Sequence, residues 1–326
     1  MMTIEQTLAQ TEITSLRDGA ALHLRPNGGV LRLTDTDRHD FLHRMTTNNI
    51  NALKPGQSAV TVLTSPTARI VFVFTVVCRA DDLLLLPALG EAAALERHLR
   101  GQIFFMDKVK VRNVSADYAR FRLMGPQASV ALTALNLDLA QAPEGAWQAQ
   151  NDLLAVKQGL YDVPGYEVIL PTAQLQTTVD ALRAAGVTLL ADETAYHARR
   201  VELGRPSPGY ELTGDYNPLE AGLAWACADN KGCYTGQEII ARQITYNKVT
   251  KTLVGLRSAQ ALTAGATLTV DGREVGNVSS VAYSQALSAS IALAIVKRPH
   301  NEPGNQLDAG GVMAEVVALP LVDESL

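Results

Sequence analysis

Apolar and polar positions alternate differently along the chain, and the changes mark its organisation. Near the N-terminus, Gly29 to Asp35 (GVLRLTD) reads as a short strand. The following DTDRHDFLHRMTTNNI reads as a helix, because Phe41, Leu42 and Met45 share one face and Asp35 or Asp37 can cap it. The same order recurs at ARFRLMG and GPQASVALTAL, where Val130, Leu132 and Leu135 share a face after Pro126. Between these units, from about Ala52 to Ser115, β-branched runs broken by Ser65-Pro66 and Ala80-Asp81-Asp82 predict antiparallel strands joined by turns. EAAALERHLRGQI then predicts a helix and DKVKVRNV a further strand. From Pro164 the pattern is strand (GYEVILP), helix (AQLQTTVDALRAAG), strand (VTLLA) and helix (DETAYHARRVELG), with Gly186 and Gly204 at helix ends. Beyond Thr252 only short strands remain, with Asp271-Gly272 as a hairpin turn, so the chain closes on an all-β unit. The expected organisation is discontinuous: residues 1–50 with 114–249, an inserted α+β unit at 51–113, and the all-β unit at 250–326.

Composition narrows the function classes. The chain has 326 residues and a net charge of −5, which gives no long-range attraction for polyanions, so nucleic acid is not expected as a direct partner. The start, MMTIEQTLAQTEITSL, contains acids and lacks the cationic, unbroken apolar character of a secretory signal, which predicts a cytoplasmic protein. Ile70 to Cys78 and LLLLPALG fall well short of the ~20 apolar residues of a membrane span and read as buried strands. No membrane partner is expected. Three cysteines without a CxxC pair make a disulfide framework or closed zinc site improbable, and no metal site is predicted. Neither a GxSxG nucleophile turn nor a glycine-rich phosphate loop occurs.

The densest chemistry lies in DNKGCYTGQEI, Asp229 to Ile239. Thr235 and Glu238 have the spacing of a capping box, which predicts a helix beginning just after Thr235. Cys233 is then close to the positive end of a helix, with Lys231 two residues back, and both effects favour thiolate. Gly232 and Gly236 permit close backbone approach. A lone cysteine is often a small buried hydrophobe, the reading that suits Cys78 and Cys227. On spacing alone Cys233 remains open to both readings, and its company makes it and Lys231 the candidates for chemistry.

KGCYTGQE (Lys231 to Glu238) resembles the signature of the YgfZ family, folate-binding proteins tied to iron–sulfur enzyme maintenance and related to the glycine-cleavage T-protein. The likeness extends to DRHDFLHRMTTNNI, FRLMGPQA, RVELGRP, NPLEAGL and the C-terminal VGNVSSVAYS, IALAIVKR and AEVVALP, nearly the whole chain. It implies an α+β, three-domain cloverleaf of the T-protein type with a C-terminal antiparallel β-barrel domain. In that fold 1–50 with 114–249 forms the folate-binding domain, and tetrahydrofolate sits in a central channel. By family position Glu167 grips the pterin, as an ionised carboxylate can accept two parallel N–H bonds from an aminopyrimidine edge. Arg200 corresponds to a folate-contacting arginine, and Glu202, Asn48, Tyr234, Gln237 and Glu238 are carried over as further cofactor-binding positions. The resemblance implies iron–sulfur carrier or client proteins as partners and an indirect influence on tRNA thiolation.

Departures from the T-protein pattern bear on the reaction. Ala94 stands where the transferase relatives carry an aspartate that assists aminomethyl transfer, and the T-protein lacks a cysteine at the position of Cys233. Asn49 replaces a common aspartate, and SPTAR (Ser65 to Arg69) lacks the usual glycine before its arginine. The expected function is therefore a tetrahydrofolate-binding accessory factor for iron–sulfur enzymes, with a folate-dependent one-carbon transferase as the alternative.

Overall fold

The computed structural model describes residues 4–323. Two antiparallel-rich sheets and a closed barrel organise them. A six-stranded sheet runs in the order Thr188–Leu189, Ala21–Leu24, Tyr118–Met124, Gly165–Pro171, Leu153–Gln158, Trp147–Gln150. Only its Thr188–Leu189 edge is parallel to its neighbour. A five-stranded sheet runs Ser58–Thr64, Ile70–Cys78, Leu83–Pro87, Leu31–Thr34, Lys110–Asn113.

Side-chain alternation decides what each face does. On the six-stranded sheet Phe121, Leu123, Tyr166, Val168 and Leu170 pack on the helices Ala128–Leu132 and Leu175–Ala184. The opposite face sends Leu154, Val156 and Ile169 against Val77, Leu84 and Leu86 of the five-stranded sheet. The far face of that second sheet, with Phe74, Val76 and Leu85, is covered by the helices Arg38–Met45 and Ala92–Arg100. The result is helix, sheet, sheet, helix, with the two sheets meeting across a seam.

The recurrence seen in the sequence is structural. Each sheet contains a strand, a turn that opens on a left-handed residue (Asp35, φ 82°; Gly125, φ 100°) and a helix. The expected boundary near residue 50 does not separate the sheets, however. Leu31–Thr34 lies inside the five-stranded sheet, paired with Leu83–Pro87 on one side and Lys110–Asn113 on the other. Leu31 and Leu33 are fully buried there, so burial draws the N-terminal strand into the unit expected to begin at residue 51.

The C-terminal unit is a closed six-stranded antiparallel barrel, in the order Lys251–Ser258, Ala289–Lys297, Arg273–Ser284, Thr267–Val270, Gln306–Ala309, Met313–Val317. Its hairpin turn at Asp271-Gly272 has both residues at positive φ, 49° and 74°, the backbone an Asp-Gly turn supplies. The helix Thr194–Glu202 links the barrel to the rest: Val201 packs on Ile291 and Leu293 of the barrel, while Ala195 and Tyr196 join a core with Leu16 and Met124. No helix among the described residues is long and apolar enough to cross a membrane.

Candidate functional site

Where the apolar seam between the sheets ends, polar side chains take over. Arg120 and Arg122 alternate with Phe121 and Leu123, so the apolar pair faces the helices and the two guanidinium groups face the seam. Glu167 is the register partner of Arg122 on the neighbouring strand and shares that face. Arg122 is fully buried behind the wall, and Arg120 and Glu167, together with Arg25, Tyr161, Asp162, Tyr196 and Arg200, border a cavity of about 160 Å³. It adjoins a wider surface hollow of about 840 Å³, with which it shares Glu193, His197 and Tyr210.

The cavity wall is a charge network. Glu167 Oε1 accepts from Arg120 Nε at 2.7 Å, and Arg120 Nη1 donates to the carbonyls of Gly29 and Pro87, so the guanidinium spans both sheets. Glu167 Oε2 accepts no hydrogen bond among the described residues; Arg122 Nε lies 3.9 Å away. Asp162 receives Arg25 at 3.0 Å and the Tyr196 hydroxyl at 2.8 Å. Burial alone would raise the Asp162 carboxyl, but Arg122, Arg25 and these hydrogen bonds hold it below the usual carboxylate range. Burial, and then the charge of Asp162, push the Tyr196 phenol up to about 12. The Nε of Arg25 is buried at the cavity wall without a hydrogen-bond partner, while that of Arg122, behind the wall, lies 3.5 Å from Asp162.

Arg200 also borders the cavity, but its side chain is committed. It is 1% exposed and donates through Nη1 to Glu211 (3.2 Å) and the Arg205 carbonyl, and through Nη2 to Ser280 Oγ (2.7 Å). Its guanidinium lies 4.5 Å from the Tyr210 ring centroid. Glu211, itself fully buried, also accepts from Ser279 and the Ser207 N–H, so this pair fastens the helix Thr194–Glu202 to the barrel. Glu202 is not at the cavity. It accepts from Arg199 at 3.1 Å and from Ser284 of the barrel at 2.6 Å, because two helical residues turn a side chain by about 200°.

The cysteine segment lies elsewhere, against the five-stranded sheet. Cys233 is exposed, and no residue from 229 to 238 borders the cavity. The expected capping box does not form. Gly236 is the N-cap of the helix Gln237–Thr245 with φ 84°, and a Cβ there would stand 2.7 Å from the Ser65 carbonyl. The Thr235 carbonyl instead accepts from Thr64 Oγ1, and Glu238 pairs along the exposed helix face with Arg242 at 2.7 Å. Lys231 does not point its charge at the thiol. Its ammonium donates to the carbonyls of His43, Thr46 and Asn48, the last at 2.8 Å, and so satisfies acceptors at and just beyond the C-terminal end of the helix Arg38–Met45. Burial lowers it to about 8.

The remaining carried-over positions serve this scaffold. Tyr234 is buried with Ala68, Leu219, Cys227 and Ile240, and burial raises its phenol. Gln237 Nε2 reaches back to the Lys231 carbonyl at 3.5 Å. Asn48 Nδ2 donates to the Val60 carbonyl and its Oδ1 accepts from the Asn49 N–H. Burial raises the Cys227 thiol to about 12, and Cys78 is also buried. Among the described residues no cluster of three or more His, Cys, Asp or Glu is placed to hold a metal.

Residues 4–231 match the family model of the GCVT N-terminal domain, and residues 251–323 that of the glycine cleavage T-protein C-terminal barrel domain. The chain belongs to the glycine cleavage T-protein family. A putative chloroplastic transferase of Arabidopsis thaliana is 32% identical over 88% of this chain and 68% of its own length. An aminomethyltransferase of Desulforamulus reducens is 27% identical over 91% and 84%. The crystal structure of the glycine cleavage system aminomethyltransferase T of Bartonella henselae superposes with a TM-score of 0.87, covering 97% of this chain and 90% of that one at 22% identity. In this T-protein-like fold Arg25, Arg120 and Asp162 border the cavity without having been singled out in the sequence. The sole local hint was arginine alternating with apolar residues in ARFRLMG.

Proposed function

We propose that the protein is a tetrahydrofolate-binding accessory factor of the YgfZ type, acting in the cytoplasm to support assembly or repair of iron–sulfur enzymes, with Cys233 as its functional thiol. The observation that carries this reading is a separation: the cavity has a fixed carboxylate, while the thiol stands exposed on another part of the surface. A sulfur outside the cavity is poorly placed for chemistry on a guest within it and well placed for presentation to a partner.

The cavity residues suit a reduced folate. Glu167 is held by Arg120 through Oε1, leaving Oε2 for an N–H of the aminopyrimidine edge. The unpartnered Nε donor of Arg25 suits an acceptor atom of a pterin ring. The adjoining hollow has room for a glutamate tail.

Two variants test the reading. Glu167→Gln should weaken tetrahydrofolate, measured by equilibrium titration, by roughly 10- to 100-fold, the loss of a charge-assisted hydrogen bond. Cys233→Ser should retain that affinity and lose support of iron–sulfur enzyme activity. A fully active Cys233→Ser protein would sink the accessory role.

One observation favours the transferase reading, besides the relatives named aminomethyltransferase. Although Ala94 has no carboxylate, Glu91, three residues before it, has a buried Oε2 without a hydrogen-bond partner, and burial raises its carboxyl. Formation of methylenetetrahydrofolate from tetrahydrofolate and an aminomethyl donor, abolished in Glu91→Gln and unaffected in Cys233→Ser, would establish this alternative.

A further inference from the structure

The helix Arg38–Met45 has an exposed thiol on one side and an exposed apolar turn on the other. On one side Gly232, next to Cys233, lies against it, with the His43 ring 4.0 Å from where a glycine Cβ would stand. Next along the same helix, Arg44 pairs with Asp107 at 2.5 Å. Asp107 closes the turn Phe104–Asp107: its carboxylate accepts the Phe104 N–H at 2.8 Å, and its own N–H donates to the Phe104 carbonyl at 2.9 Å. Lys108 and Asp37 exchange two further hydrogen bonds behind the turn. The turn is therefore braced, yet it holds Phe104, Phe105 and Met106 in water at 67%, 97% and 72% exposure. Three large apolar side chains fixed outward on a braced turn form a patch that a folded monomer ordinarily buries.

Cations outnumber carboxylates on the segment that carries it. Between residues 96 and 112 stand the cations Arg97, Arg100, Lys108, Lys110 and Arg112 and the carboxylates Glu96 and Asp107, in a chain whose net charge is −5. Arg100 pairs with Glu96 at 3.5 Å and Lys110 with Asp35 at 3.3 Å, and Arg97, Lys108 and Arg112 form no ion pair among the described residues. All five cations are exposed, and Asp107 is taken up by Arg44.

We infer that the Phe104–Met106 turn and its basic collar form the docking face for an acidic protein with an apolar groove, which brings that partner to Cys233 across the width of one helix. An α-helix is about 10–12 Å across with its side chains, so a partner seated on the turn and extending past the helix reaches the segment that carries the thiol. The apolar anchors supply the buried centre of such an interface and the cations its rim and its steering. This inference rests on the accessory role of Cys233 for its purpose, though not for its existence.

The test separates the two. A photo-crosslinking amino acid placed at Phe105 in the full chain, in its own cells, should give one protein adduct of acidic isoelectric point. With that protein purified, its Kd for this chain should rise at least tenfold from 50 to 500 mM salt. It should rise similarly in Phe105→Ser/Met106→Ser and in Arg100→Glu/Lys108→Glu/Lys110→Glu. Both variants should keep wild-type tetrahydrofolate affinity and thermal midpoint. Unaltered binding to Cys233→Ser, with that variant fully active in iron–sulfur support, would remove the accessory role and leave the docking face. No adduct, an adduct with lipid, nucleic acid or a second copy of this chain, or binding indifferent to salt and to both variants would overturn the docking face itself.

Discussion

At the scale of single residues, the same side-chain chemistry does different work at different depths. Glu167 and Glu238 are both carboxylates in the recognised segments, yet one is buried at the cavity with a free oxygen and the other is an exposed partner for Arg242. Lys231 is the clearest case. Its charge, expected to activate a thiol, is spent on three carbonyls that fix the cysteine segment to the neighbouring helix. Its folded value of about 8 lies below the 10.5 of the ordinary lysine. Between those values the unfolded chain holds a proton that the folded one has released, so the contribution of this residue to stability rises with pH across that window and is constant below it. The urea midpoint of the wild type should accordingly gain on that of Lys231→Met as pH rises from 8 to 10.5. Parallel curves would show that the ammonium is not depressed.

At the scale of elements, most of the architecture was legible because it rests on local periodicity. The Asp271-Gly272 hairpin and the strand–turn–helix recurrence follow from residues close in sequence. What escaped depends on distant neighbours. The strand Leu31–Thr34 looks like part of the N-terminal unit until its partners from residues 83–87 and 110–113 are known. The cavity arginines escaped because a charged strand position reads as solvent-facing unless a second sheet covers it. Helical phase accounts for one correction to the carried-over residues: Arg200 and Glu202 cannot face one ligand from a regular helix. The capping box failed for a steric reason, since Gly236 in a left-handed conformation takes the N-cap position from Thr235. Between helix and barrel, the Arg200–Glu211 pair predicts an asymmetry. Glu211→Ala leaves a fully buried guanidinium uncompensated and should cost about 3–5 kcal/mol in urea unfolding, while Arg200→Met/Glu211→Leu should cost much less.

At the scale of the whole molecule, the cavity is walled by both sheets and by the segment 205–210, so a guest there is bound only by the assembled fold. Tetrahydrofolate at about 100 times its Kd should then add ~2.7 kcal/mol to unfolding and raise the thermal midpoint, and Glu167→Gln should cut that gain to roughly 0.4–1.4 kcal/mol at the same concentration. An unchanged wild-type midpoint would argue against folate as the guest.

The helix Thr194–Glu202 acts as an axle common to three bodies. Tyr196 and His197 border the cavity, Ala195 sits in the core beneath the six-stranded sheet, and Val201 meets the barrel wall. Occupancy on one side is therefore felt as stiffness on the other. Amide protons of Ala289–Lys297, remote from any guest, should exchange with deuterium more slowly once the cavity is filled, making the barrel an internal gauge of what the sheets hold.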